Sequence, residues 1–215
     1  MDKYLETFET WNKVAKLYED KFMDLDLYND TYDDFCHLLS KKNASILEVG
    51  CGPGNITKYL LAKRPDFEIL GTDISPNMIA LAKENCPMAA FEIIDCREID
   101  TIPQKFDGIV CGFCMPYLSE TDVAKFINDC GNLLNEQGIL YLSFVEGEKD
   151  KSGYQESSSG ERTYFYYHNL ENVTNQLKNS HFEKQQLLRK SYLKSGKTPE
   201  THTIIIAKKV LNGYR

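Results

Sequence analysis

No stretch of this 215-residue chain approaches the ~20 consecutive apolar residues of a membrane span. That absence excludes a helical membrane protein. No secretory leader or targeting motif is visible either. Positive charge is also short: 25 Lys and Arg stand against 32 Asp and Glu, a net charge of −7. No basic cluster exceeds two consecutive residues, as at Lys208-Lys209. A nucleic-acid surface held by phosphate contacts is therefore disfavoured. Cysteine is present seven times, at 36, 51, 86, 96, 111, 114 and 130. The count is odd, and most of these residues lie in apolar stretches where a free cysteine behaves as a small hydrophobe. Cys111-x-x-Cys114 has neither a second C-x-x-C nor a nearby His pair, so no metal or redox centre is expected. Free thiols of this kind suit a reducing cytoplasm. Hydrophobic content of 42% is ordinary and allows one domain with a sizeable core.

What is present centres on residues 46–56. Ile46, Leu47 and Val49, broken only by Glu48, read as a buried strand. Gly50, Gly52 and Gly54 then read as a tight turn, and Ile56, Tyr59, Leu60 and Leu61 as the start of a helix. Glycine lets backbone approach a ligand closely and adopt positive φ. A helix start offers free amide N–H groups. The spacing is neither of the two phosphate-binding patterns. A dinucleotide fingerprint needs G-x-G-x-x-G, and here the third position is Asn55. A phosphate loop needs a Lys followed by Ser or Thr, and none is present.

The remaining pattern organises around this turn. Phe8, Trp11, Ala15, Tyr18 and Phe22 recur at steps of three and four, one face of a helix. A second helix is expected from about Asn29 to Ser40. From Ser45 a βαβ rhythm follows. Strands are expected at 45–49, 67–72, 90–94, 106–111 and 139–145, and helices from Gly54 to about Pro65 and from Ser75-Pro76 to about Asn85. Ser119-Glu120-Thr121-Asp122 has capping-box spacing and opens a helix whose inward face is Val123, Phe126, Ile127, Cys130, Leu133 and Leu134, with Gly138 after its end. Residues 146–163 read as a polar excursion, and 170–179 as a helix. Residues 184–194 and 202–210 read as strands joined by a hairpin-like connection at Lys194–Glu200. Alternating strands and helices argue for a parallel sheet covered on both faces. The expectation is one domain over 1–215, with helices in 1–43 ahead of a core in 44–215.

The run Leu47-Glu48-Val49-Gly50-Cys51-Gly52-Pro53-Gly54 resembles the first motif of the S-adenosylmethionine-dependent methyltransferases of the Rossmann-like class, over roughly residues 44–210. The resemblance implies an α/β fold: a doubly wound, mostly parallel seven-stranded sheet ending in an antiparallel hairpin strand, with N-terminal helices as a lid. It implies S-adenosylmethionine as cofactor and S-adenosylhomocysteine as product. Gly50, Cys51, Gly52 and Gly54 would form the turn beneath the cofactor, with Glu48 organising that turn and the methionine end. Ile74 would lie against the adenine ring. Asp95 would accept the adenine amino group, and the Cys96 amide would reach a ring nitrogen. Tyr18, within Ala15-Lys16-Leu17-Tyr18, matches an Ala-x-x-Tyr segment that closes over the cofactor in the quinone-biosynthesis group. The segment Cys114-Met115-Pro116-Tyr117 departs from the Asn/Asp/Ser-Pro-Pro-Tyr motif of the enzymes that methylate DNA or glutamine nitrogen.

Other candidates rest on chemistry. Asp73 ends the second strand, where a carboxylate can accept both ribose hydroxyls of a nucleoside; it also suits the start of the next helix. Met78 either flanks that pocket or fills the core. Phe113 and Tyr117 follow the fourth strand, at the carboxyl end of the sheet where ligands sit. Tyr164, Tyr166, Tyr167 and His168 cluster after the polar excursion. Tyr166 and His168 are candidate acceptor contacts, although a lone histidine is commonly structural. Trp11 and Tyr18 are equally readable as a helix's core stripe. No catalytic dyad is displayed, and none is required when the acceptor needs no base. The reading is a methyltransferase acting on a small molecule. A non-catalytic cofactor-binding protein and a nicotinamide-dependent oxidoreductase are the alternatives; for the latter, no Tyr-x-x-x-Lys pair is present.

Overall fold

The computed structural model describes residues 2–156, 160–193 and 199–210. The chain opens with α1 (Lys3–Lys13), α2 (Ala15–Phe22) and α3 (Asn29–Leu38), followed by β1 (Ser45–Val49), α4 (Asn55–Lys63), β2 (Glu68–Asp73), α5 (Pro76–Asn85), β3 (Ala90–Ile93) and β4 (Phe106–Cys111). Then come α6 (Glu120–Leu133), β5 (Leu134–Val145), β6 (Gly153–Glu156), β7 (Arg162–Phe165), α7 (Leu170–Asn179), β8 (Phe182–Tyr192) and β9 (Glu200–Lys209).

Seven strands form one sheet in the order β3-β2-β1-β4-β5-β9-β8. The first five are mutually parallel, and β9 runs antiparallel to both β5 and β8. The doubly wound architecture expected from the sequence is therefore observed. Its order reverses between β1 and β4, which opens a crevice at their carboxyl ends. Strand β4 is buried along its whole length, as a central parallel strand must be when helices cover both faces. One face packs Phe126 and Ile127 of α6 and Leu177 of α7. The other packs Tyr32 and Phe35 of α3 and Leu60 of α4. Each such apolar side chain contributes roughly 1.5–3 kcal/mol by leaving water, and these clusters flank the switch point.

Local chemistry sets the boundaries. Ser75 caps α5 by accepting the Met78 amide at 3.1 Å, with Pro76 as the first helical residue. Ser119 caps α6 through the Asp122 amide at 3.2 Å.

Three expectations change. The N-terminal stripe is not one helix: the backbone breaks at Val14, with φ −95° and ψ 14°. The last strand of the parallel set starts at Leu134, directly after α6, so Gly138 lies inside β5 beside a register irregularity rather than after a helix. There Gln137 has φ +63°, and a Cβ on Gly138 would come within 2.9 Å of the Asn135 carbonyl. The excursion also carries structure of its own, the hairpin β6–β7. Most of the Lys194–Glu200 connection, and 157–159 of the excursion, fall outside the described residues.

Candidate active site

At the switch point the glycine turn follows β1. Gly50, Gly52 and Gly54 have φ of +69°, +54° and +86°, a region open to glycine at little cost. The Gly50 and Cys51 amides both donate to the Thr72 carbonyl, at 2.8 and 2.9 Å, which seals the turn onto β2.

Asp73, the last residue of β2, completes it. One carboxylate oxygen accepts the Gly52 amide at 3.0 Å and the other the Ser75 amide at 2.9 Å. Burial pushes its pKa up, and these two amides oppose the rise. Each oxygen keeps a second lone pair, enough to receive two hydroxyls. Glu48 lies fully buried behind the turn. One of its oxygens accepts the Thr57 hydroxyl, and the other has no hydrogen-bond partner among the described residues. Burial pushes its pKa to about 8.

A cavity of about 160 Å³ opens in front of the turn. Gly50, Gly52, Asp73, Ile74, Met78, Asp95, Cys96, Arg97, Phe113, Cys114 and Tyr117 are among its lining residues. Tyr4, Phe8 and Trp11 of α1 and Tyr18 of α2 roof it. Trp11 stands 5.5 Å from both the Tyr18 and Tyr117 rings, edge to face. A Cβ at Gly52 would be 3.6 Å from Tyr18 Cε1, so the tyrosine lies directly over the turn. Phe113 has φ +62°, costly for a bulky residue, and Ser143 Oγ accepts its amide at 2.8 Å.

The structure thus brings together Tyr18, Gly50, Gly52, Asp73, Ile74, Met78, Asp95, Cys96, Phe113 and Tyr117. Five candidates lie elsewhere. The Cys51 side chain packs into a small cluster with Ile79, Ala82 and Phe91. Gly54 and Glu48 support the turn from behind. His168 is 6% exposed, and its Nε2 lies 2.8 Å from the Met115 carbonyl oxygen. Burial lowers its pKa. The Tyr166 amide donates to the Pro116 carbonyl at 2.7 Å. Tyr166 and His168 thereby brace the loop that carries Tyr117 without lining the cavity.

Sequence reasoning missed Arg97, the one cation lining the cavity among the described residues. Its guanidinium holds the Asp95 carboxylate at 3.0 Å and lies 4.4 Å from the Tyr4 ring centroid. Burial pushes the Asp95 pKa up, but the bonds from Arg97 outweigh it and the net shift is downward. An arginine between polar neighbours carries no local sign of such a role.

Residues 46–138 match a family model described as a methyltransferase domain. The chain is 28% identical over 138 residues to putative methyltransferase 235L of Invertebrate iridescent virus 6, covering 64% of this chain and 49% of that protein. It is 33% identical over 116 residues to a malonyl-[acyl-carrier protein] O-methyltransferase of Acetivibrio thermocellus, covering 53% and 40%. The chain spans about half the length, or less, of these two relatives. Among solved structures, magnesium protoporphyrin IX methyltransferase from Synechocystis PCC 6803, with bound S-adenosylhomocysteine, superimposes with a TM-score of 0.73 at 16% identity, over 97% of this chain and 100% of that one. Residues 46–138 thus resemble a methyltransferase domain, and the chain shares the fold of that solved structure.

Proposed function

We propose that the protein transfers a methyl group from S-adenosylmethionine to a small-molecule acceptor. The observation that carries this is the pairing of Asp73 with the Gly52 amide at the mouth of a cavity roofed by aromatic rings. The residues present fit the cofactor. Asp73 has lone pairs left for the ribose hydroxyls, and the side-chain-free Gly50 and Gly52 permit close approach. Ile74 and Met78 offer apolar contact to a flat base, and Asp95 an acceptor for its amino group. Trp11, Tyr18, Phe113 and Tyr117 present π faces that favour a positive charge. S-adenosylmethionine, when bound, supplies a methyl group already activated on positively charged sulfur. The protein's work is then to align the acceptor and exclude water, for which α1 and α2 form the roof.

The acidic surface supports a small acceptor over a nucleic acid. Seven free cysteines, six of them buried, support a reducing compartment such as the cytoplasm. We read residues 1–215 as one unit, a lid in 1–43 over a core in 44–215. The test is methyl transfer from labelled S-adenosylmethionine into a pooled extract of small metabolites, compared between wild type and Asp73→Ala. Label should enter the small-molecule fraction with the wild type and fall at least tenfold with the variant. Label confined to protein or nucleic acid would overturn the reading.

A further inference from the structure

Asp95, the acid offered to the adenine amino group, already has its donors. Its Oδ1 accepts the Arg97 amide at 2.8 Å and Arg97 Nε at 3.1 Å. Its Oδ2 accepts the same Nε at 3.0 Å and Nη2 at 2.5 Å. A carboxylate has about four lone-pair sites, and these four contacts take them up. Asp73 differs, with one amide on each oxygen. A ribose can join Asp73 as it stands, whereas an adenine amino group reaches Asp95 only in place of a donor from Arg97.

The guanidinium is the donor able to leave. Asp95 and Arg97 both line the cavity. The Arg97 side chain is 35% exposed, and an ion pair with a partner so exposed is weak. A second acid stands close by. Arg97 Cζ lies 4.4 Å from the ring centroid of Tyr4 on α1. The Tyr4 hydroxyl donates to Asp122 Oδ2, as does the Ser119 hydroxyl at 2.5 Å. Both donors converge on one oxygen, so Oδ1 keeps its lone pairs. Burial pushes the Asp122 pKa up, but the bonds from Ser119 and Tyr4 and the charge of Arg97 bring it below the ordinary value. The guanidinium thus stands between an acid that lines the cavity and an acid bonded to its roof.

We propose that Arg97 and the adenine amino group compete for Asp95, and that cofactor binding hands the guanidinium on to Asp122 beside Tyr4. The inference rests on the S-adenosylmethionine reading and adds a positioning residue that tunes base selectivity. An amino group brings its own N–H donors and so replaces those that Arg97 withdraws. A carbonyl at the same place on the base is an acceptor, which suits Arg97 where it stands and is repelled by Asp95 without it. The displaced guanidinium adds a positive charge to the Tyr4–Asp122 contact that ties α1 to α6. Filling the nucleoside site therefore tightens the roof, because the ligand favours the arrangement in which Arg97 holds it.

The test is calorimetric titration of the full chain with S-adenosylhomocysteine and with S-inosylhomocysteine, in which a carbonyl replaces the amino group. Arg97→Met removes the competing donors and keeps an apolar stem against Tyr4. It should bind S-adenosylhomocysteine about threefold more tightly than the wild type, and S-inosylhomocysteine about threefold more weakly, the size expected of a partly exposed ion pair. Asp122→Asn keeps an acceptor for Tyr4 and Ser119 but removes the charge. It should weaken S-adenosylhomocysteine about twofold alone and leave it unchanged beside Arg97→Met, a double-mutant cycle that reads the transfer. An arginine with a merely structural role would move both ligands alike. Equal changes for the two ligands in Arg97→Met, or an Asp122→Asn effect of the same size with and without Arg97, overturns the proposal while leaving the cofactor reading intact. Failure of the wild type to bind S-adenosylhomocysteine overturns the cofactor reading, and this inference falls with it.

Discussion

Asp73 accepts the Gly52 amide at 3.0 Å, so the last residue of β2 sets the shape of the turn that follows β1. One carboxylate thereby organises the protein and offers a ligand site. Asp73→Ala should lower affinity for S-adenosylhomocysteine by roughly 1–3 kcal/mol, because ribose hydroxyls lose an acceptor in a partly buried site. It should also lower the melting temperature of the free protein, since the Gly52 and Ser75 amides lose their partner. Calorimetric titration and a thermal melt check the two effects. Unchanged affinity would remove Asp73 from the site.

Gly50 is required by both dihedral and space. Its φ is +69°, and an added Cβ would come within 2.9 Å of Cys114 Cβ. Gly50→Ala should cost at least about 1–2 kcal/mol from the left-handed backbone alone. Gly153→Ala is the control, because an added Cβ there meets nothing within 4 Å. Chemical denaturation should separate the two, and equal midpoints would contradict the geometry.

Glu48 gives the protein a pH signature. Burial raises its pKa from the ordinary 4.5 to about 8. Between those values the folded chain holds a proton that the unfolded chain has lost. Stability from this group is therefore complete below about pH 4.5 and declines as pH rises to about 8, by a few kcal/mol in all. Glu48→Gln cannot titrate. The melting temperature of wild type relative to this variant should fall steadily from about pH 5 to 8. A flat difference would mean that Glu48 is ionised throughout.

Within the lid, α1 is fastened by polar contacts as well as by the Trp11 ring. Asn12 Oδ1 accepts the Ser75 hydroxyl at 2.8 Å and the Asn77 amide at 3.1 Å. Thr7 Oγ1 accepts the Tyr164 amide at 2.9 Å. None of the three hydrophobic clusters reaches further toward the N-terminus than Leu25. Deleting residues 2–14 should leave cooperative unfolding intact while weakening S-adenosylhomocysteine about tenfold or more and abolishing methyl transfer. A truncated protein with full activity would make α1 a packing element only.

The sequence was most readable where burial leaves a pattern. Strand β4 was expected and found at Phe106–Cys111, a buried run broken only by Asp107 and Gly108, as central parallel strands are near-continuous apolar runs. The glycine turn and Asp73 were readable because their chemistry fixes their spacing. The break at Val14 was not, since periodicity reports the buried face and is blind to one backbone dihedral. The β6–β7 hairpin was missed because it is held by residues far along the chain, such as Thr10, whose hydroxyl donates to the Arg162 carbonyl at 2.8 Å. Arg97 pairs locally with Asp95, but its contact with the Tyr4 ring forms only after folding.

The central claim is that the cavity above Gly50, Gly52 and Asp73 accepts S-adenosylmethionine. Its most direct test is calorimetric titration of the intact protein with S-adenosylhomocysteine and, in parallel, with NADPH. The account expects saturable binding of S-adenosylhomocysteine, a melting temperature that rises with its concentration, and no response to NADPH. Stabilisation by NADPH with none by S-adenosylhomocysteine would contradict it.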